Sequence, residues 1–383
     1  MAVHKLFPSK DSTIYSFYPT MNTGIDPILE SSNQIPTTSP DPQVSRFLIQ
    51  FDQTEIENIV DNKIGNFNFT SSLKTYIAQA QNIVAENTLF AYPLAQSWNN
   101  GSGQFLDSPI TTNGSSWKYR TFDGGDGWTT NFGTGTYTTG SYLSNNIGGG
   151  AWFTSSAAYI NNPNMVASQS FDLRTTKDLT LDVSDTVKIW YSQSKTLGGY
   201  PTIFNNGFIV KWEDSVEFNA SPSVQPITRF YSVDTNTIYP PVLELKWDDS
   251  SYSTTLPPVT SEDIFISLDS NQGEFYKESV NRFRLNVRPE FPVRTFQTAS
   301  LFTTNHSLPQ ESYYAIKDLD TNEFVVDFDN SCTKISCDNT SNYFDVYMNG
   351  LQPERYYQIL IKTTISGSTI IKDDNYYFKV ING

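Results

Sequence analysis

Leu179-Thr180-Leu181-Asp182-Val183-Ser184-Asp185-Thr186-Val187-Lys188-Ile189-Trp190-Tyr191 changes its hydrophobic period part-way through. Leu179, Leu181 and Val183 alternate with Thr180 and Asp182, the period-2 pattern of a half-buried strand. Beyond Val183 the apolar positions fall at Val187, Trp190 and Tyr191, an i, i+3, i+4 helical stripe. Ser184 is placed to cap that helix, and Asp185 suits the positive end of its dipole. A Gly198-Gly199-Tyr200-Pro201 loop follows, and then Asn205-Asn206-Gly207-Phe208-Ile209-Val210-Lys211-Trp212. Asn206-Gly207 supplies turn chemistry, and Phe208-Ile209-Val210 reads as a buried strand. Strand, short helix and return strand form one packing unit at the end of a sheet, with Trp190 and Phe208 in its core.

The rest of the first two-thirds of the chain arranges around this unit. Arg46-Phe47-Leu48-Ile49-Gln50-Phe51 is a strong strand, and Ile56, Ile59 and Val60 share one face of a short helix after Asp52. Residues 73–80 and 87–92 read as further strands. From 99 to 164 the chain is dominated by Gly, Ser, Thr and Asn, dotted with aromatic residues. It reads as extended loops and short hairpins over one end of a sandwich, and a loop region of this length is usually functional. Residues 248–259 read as a linker. Beyond it, seven strands in about 120 residues match the count of an immunoglobulin-like sandwich. The expected fold is all-β: a large jelly-roll-like β-sandwich over 1–247, then a smaller fibronectin III/Ig-like β-sandwich over 260–383.

Composition agrees. The 383 residues include 22 Tyr, 26 Phe and 20 Pro, and aromatic residues make up 14 % against 17 % charged, which favours β structure. A net charge of −15 opposes nucleic-acid binding and anionic membrane surfaces. No run of about 18 apolar residues exists to span a bilayer, so no membrane insertion is expected. The opening Met-Ala-Val-His-Lys-Leu-Phe-Pro lacks the apolar run of a secretory signal. Cys332 and Cys337 are expected to be free thiols, although a strained local bridge is geometrically open to them.

The first module resembles the DNRLRE-type β-sandwich family, carbohydrate-binding-module-like domains of surface proteins. The resemblance lies in Asp11-Ser12-Thr13-Ile14-Tyr15, Asn22-Thr23-Gly24, the Arg46 strand, 181–190, Asn206-Gly207-Phe208 with Lys211, and 241–247. The family's sugar-facing region is replaced here by Trp98-Asn99-Asn100-Gly101 and an expanded loop region. The whole chain is similar to virion structural proteins of marine T4-like tailed phages, chiefly cyanophages. That similarity rests on Lys5-Leu6-Phe7-Pro8, Leu106-Asp107-Ser108-Pro109, Asn113-Gly114 with Trp117, Asn131-Phe132-Gly133, Asp234-Thr235-Asn236-Thr237-Ile238-Tyr239-Pro240-Pro241, and Arg282-Phe283-Arg284-Leu285-Asn286-Val287-Arg288-Pro289. In the second domain, Leu351-Gln352-Pro353 followed by Tyr357 resembles the tyrosine corner of fibronectin type III-like domains, which implies a hydrogen bond from the Tyr357 phenol to the corner's backbone.

Catalysis finds few candidates. His4 and His306 are each alone and each read as surface loop, so no His metal site or triad is expected. Acid pairs such as Asp123 with Asp126, and Asp318 with Asp320, read as turn chemistry. Asp318-x-Asp320-x-Asn322 offers alternating oxygens for a structural calcium but lacks the Gly and distal Glu of an EF-hand loop; no other cofactor is indicated. Trp117, Trp128, Tyr137, Tyr142 and Trp152 are the candidate interface or ligand residues, with a self-packed satellite core as the competing reading. The resemblances imply a non-enzymatic structural component of a tailed-phage virion, in the tail, baseplate, neck or fibre-attachment region. It would be assembled in the host cytoplasm and docked in several symmetric copies to other virion proteins. The alternative is an adhesion module for a host receptor or host-surface glycan.

Overall fold

The computed structural model describes residues 2–35, 43–83, 86–122, 125–128, 139–140, 148–153, 164–172, 174–200, 202–217, 225–269, 271–292 and 304–383. The protein is all-β, with 9 % helix and 45 % strand arranged in antiparallel sheets consistent with β-sandwich domains. It divides into two compact units, residues 6–244 and residues 1–5 with 245–383. Residues 1–5 thus belong with the C-terminal unit, whereas the sequence groups them with the first module. The stretch read as a linker is hydrogen-bonded into that same smaller unit: Tyr252 bridges to Cys337, and Ser251 N–H donates to Ser336 Oγ at 3.1 Å.

The larger unit is built on an antiparallel sheet. Its strands run Ala167–Phe171, Asn87–Pro93, Phe208–Trp212, Gln43–Phe51, Ile28–Gln34, Ile227–Tyr231 and Ile77–Gln81, and Pro8–Tyr15 also pairs with Gln43–Phe51. A second sheet pairs Phe69–Thr75 with Leu179–Asp182. The strand–helix–strand unit therefore crosses between sheets. Leu179–Asp182 lies in the second sheet, the helix Ser184–Ser194 follows it, and Phe208–Trp212 enters the middle of the first. Trp190 and Phe208 meet with ring centroids 4.8 Å apart, both buried.

Two local expectations change. Ser184 is the first helical residue rather than the cap; Val183 holds the cap position with no side-chain bond. The Ser184 hydroxyl instead donates to Asp182 Oδ1 (2.5 Å) and accepts the Ser71 N–H (2.8 Å), tying the helix start to the neighbouring strand. The single strand expected over 73–80 is two strands in different sheets, broken at Tyr76. A chain that changes sheets must break its alternation, which accounts for the imperfect period in the sequence.

The loops around 98–116 are tied down by backbone and side-chain bonds, three of them to the buried Asn22 side chain. Asn22 Nδ2 donates to Asn100 O (2.6 Å) and Ser115 O (2.9 Å), and its Oδ1 accepts the N–H of Gly103 (2.8 Å) and Gly24 (3.2 Å). Buried loop backbone needs such partners.

The smaller unit packs two sheets: Ile264–Asp269, Val280–Pro289, Asn342–Tyr347 and Ser336–Cys337 against Glu274–Tyr276, Ser368–Ile381, Tyr356–Ile365, Tyr313–Asp318 and Phe324–Val326. Its core is aromatic, with Tyr314 on Phe344 (4.0 Å), Phe344 on Phe283 (5.6 Å) and Tyr357 on Phe378 (5.6 Å). The hairpin turn between Tyr356–Ile365 and Ser368–Ile381 is Ser366-Gly367, both at positive φ, and the charged run Lys372-Asp373-Asp374 lies inside the second of these strands. The strand Ala2–Leu6 lies beside Val242–Trp247 in the sheet order. It is fastened to the smaller unit by Asn349, whose Nδ2 donates to Lys5 O (2.8 Å) and lies 2.9 Å from His4 Nε2. His4 is accordingly buried in a strand against the Tyr347 ring, not in a surface loop.

Candidate functional site

The charged centre of the larger unit follows from strand register. Val210 on Phe208–Trp212 pairs with Phe47 on Gln43–Phe51, so Lys211 falls beside Arg46. Two cations side by side inside a sheet repel. Glu217, at the end of the short helix Asp214–Glu217, resolves this with one carboxylate. Arg46 grips it with Nε to Oε1 (3.0 Å) and Nη2 to Oε2 (2.8 Å), and Lys211 Nζ lies 3.2 Å from Oε2. All three are at most 1 % exposed. Lys211 also donates to Trp212 O (2.8 Å) and to Asp214 Oδ1 (2.6 Å), the outer carboxylate of the group.

Tryptophans close the centre. The Arg46 guanidinium lies 4.7 Å from the Trp117 ring and 5.1 Å from the Trp152 ring, and Lys211 lies 5.7 Å from Trp152. Cations over indole faces in a dry setting contribute on the order of 2 kcal/mol. The chain over this stack is Gly148-Gly149-Gly150. Arg46 Nη1 donates to Gly149 O at 2.5 Å, and a Cβ at Gly149 would sit 2.6 Å from that nitrogen and 2.8 Å from Trp117 Cζ2.

This corrects the aromatic candidates. Trp117, Trp128 and Trp152 are no more than 2 % exposed. They form the core under the loops, with Trp128 Nε1 donating to Ser116 O (2.9 Å), and present no face to a sugar or a partner. Tyr137 and Tyr142 lie outside the described residues. Sequence reading missed Arg46, Lys211 and Glu217 as a group. The signal was present: Arg46 and Lys211 each interrupt an otherwise apolar, buried strand, which requires a buried counter-charge.

The other candidates are structural. The Tyr357 hydroxyl donates to Gln352 O at 2.9 Å, the bond implied by the tyrosine-corner resemblance. Both oxygens of Asp318 are taken by Arg355, through Nε (2.6 Å) and Nη2 (2.7 Å), and Oδ1 also accepts the Asp320 N–H (2.8 Å). The ligand role suggested for calcium is thus filled by a guanidinium. Cys332 and Cys337 are free and buried, and burial pushes the Cys332 thiol up to about 12.

Exposed apolar side chains gather elsewhere. In the five-stranded sheet of the smaller unit, Tyr356 pairs with Lys379, Gln358 with Tyr377, and Tyr276 with Ile381. Paired positions and those two apart share a face, so Tyr276, Tyr356 and Tyr377 stand together on the outer side. They are 60 %, 52 % and 40 % exposed. Ile371, opposite Lys362, and Phe324, opposite Lys317, extend the same face.

No family description matches the chain, and no curated protein matches it. Among solved structures, it is similar to a DUF4785 family protein of Legionella pneumophila subsp. pneumophila strain Philadelphia 1, at 10 % identity over 100 % of this chain and 62 % of that one, with a TM-score of 0.17. A β-glucuronidase of Parabacteroides merdae is similar at 11 % identity over 96 % of this chain and 36 % of that one, also with a TM-score of 0.17. The chain spans under two-thirds of either length, and similarity at this level supports no functional argument.

Proposed function

We propose that this chain is a non-enzymatic structural component of a tailed-phage virion, placed in the tail, baseplate, neck or fibre-attachment region and docking to other virion proteins in several symmetric copies. The observation that carries docking is the outer face of the smaller unit's five-stranded sheet, where Tyr276, Tyr356 and Tyr377 stand exposed with Ile371 and Phe324. Contiguous exposed apolar surface marks interaction sites, and tyrosine is enriched where they bind tightly. The virion assignment rests on the sequence strings similar to marine tailed-phage structural proteins. Mass spectrometry and imaging of purified particles test it: the chain is expected as a stoichiometric, localised component. A Tyr356→Ser/Tyr377→Ser double variant should fold yet be depleted from particles. Absence of the chain from purified virions would refute the assignment, and full incorporation of the double variant would refute the docking face.

A further inference from the structure

The outer face of the smaller unit's five-stranded sheet is segregated by charge, and strand register sets the pattern. Tyr276, Tyr356 and Tyr377 stand exposed on three neighbouring strands. To one side, Lys317 faces Gln358 and Phe324; four positions further along, Lys362 faces Tyr313 and Ile371. Neither lysine has an ion-pair partner among the described residues, and Lys362 lies 5.5 Å from the Phe328 ring. To the other side, Glu274 pairs with Lys379 in the ladder, but the Lys379 ammonium is held by Glu354. Asp373 accepts from Gln358 Nε2. Neither Glu274 nor Asp373 forms an ion pair among the described residues. Elsewhere in this unit Arg282, Arg284 and Arg355 are all paired. With 40 acidic residues against 25 basic ones, a lysine left without a carboxylate is the exception.

We infer that this face is covered by a second copy of the chain, related by a two-fold axis running along the strands between Tyr356–Ile365 and Ser368–Ile381. A two-fold interface sets one patch against itself, so the patch must complement its own rotated copy. Here it does. In the sheet order, Glu274 lies on the first strand and Lys317 on the fourth, equally far from that axis on opposite sides. The rotation therefore lays Glu274 along the strand that carries Lys317 of the partner subunit, two positions or roughly 7 Å away. It likewise brings Asp373 near Lys362 of the partner subunit, and it sets Tyr356 and Tyr377 across the axis on each other's strands. A face five strands wide and about six residues long spans roughly 24 by 20 Å. It buries about 500 Å² a side and about 1,000 Å² in all, the lower end of specific interfaces. This inference rests on the docking reading of the face and names its occupant.

Sedimentation velocity on the full chain, up to about 100 µM, tests it. A dimer dissociating in the micromolar range is expected, and Tyr356→Ser/Tyr377→Ser should leave a monomer throughout. Lys317→Glu should weaken dimerisation about tenfold, because the two-fold repeats the lost contact and adds a repulsion. Glu274→Lys should do the same. Combining the two should restore the dimer, which a role confined to folding would not produce. A wild-type monomer at about 100 µM would overturn the inference, as would a dimer indifferent to the tyrosine and charge variants. In the first case, depletion of the tyrosine variant from particles would leave the docking face standing, with another protein on it.

Discussion

Replacing Glu217 with Gln removes the single buried anion that holds Arg46 and Lys211 together. Its oxygens receive Arg46 at 3.0 and 2.8 Å and Lys211 at 3.2 Å, all sealed from water. Without it, two adjacent cations share a dry centre with only the half-exposed Asp214 near Lys211. Breaking a buried pair from one side typically costs about 3–5 kcal/mol, and the residual repulsion places Glu217→Gln at the upper end. Arg46→Met should cost less, about 3 kcal/mol, because Glu217 keeps Lys211 as its partner and the methionine retains packing on Trp117. The two changes touch one interaction, so the double variant should be less destabilised than their sum by about 1–3 kcal/mol. Six of the seven tryptophans lie within residues 6–244, so intrinsic fluorescence in a urea titration reports this unit. A Glu217→Gln cost below about 1 kcal/mol, or strict additivity in the cycle, would refute the view that this centre holds the core together.

Three further outcomes follow from buried groups. Burial, with Asp234 and Asp26 adding to it against the Val233 N–H bond, pushes the Asp11 carboxyl up to about 7 from 3.8. The native state therefore holds a proton that the unfolded chain loses first, so stability declines as pH rises from about 4 to about 7 and is flat above, by on the order of 4 kcal/mol in all. Asp11→Asn should remove that decline in a melting-temperature series, and an identical pH profile in both proteins would count against it. Tyr357→Phe deletes the hydroxyl bond to Gln352 O and should lower stability by about 1 kcal/mol; calorimetry showing no shift would leave the corner without an energetic role. Gly149→Ala and Gly65→Ala both meet positive φ, but only Gly149 has Arg46 and Trp117 within 3 Å of the new Cβ. Gly65→Ala should cost about 1 kcal/mol and Gly149→Ala clearly more, and equal urea midpoints would contradict the close packing described.

The strand alternation, the helix in 184–194 and the tyrosine corner were all legible in the sequence, because each is a local pattern with its own periodicity or spacing. The burial of Trp117, Trp128 and Trp152 was legible only as one of two competing readings. An indole in a Gly- and Asn-rich loop reads the same whether the loop faces outward or folds over a buried arginine, and only the register of Arg46 against Lys211 decides between them. The break at Tyr76 left only a faltering period, since a strand that changes sheets alternates on both sides of the switch and not across it.

The fastening of Ala2–Leu6 to Asn349 has a consequence for how the protein is made. Ala2–Leu6 leave the ribosome well before Asn349, whose contacts with His4 and Lys5 span 345 and 344 residues. The larger unit, contiguous from 6 to 244, can complete while synthesis continues. The first strand must meanwhile wait as an unpaired β-edge, able to recruit other nascent chains. Its early His4 and Lys5 make that waiting strand less apolar, and its docking is a late, long-range event expected to set the slowest phase of folding.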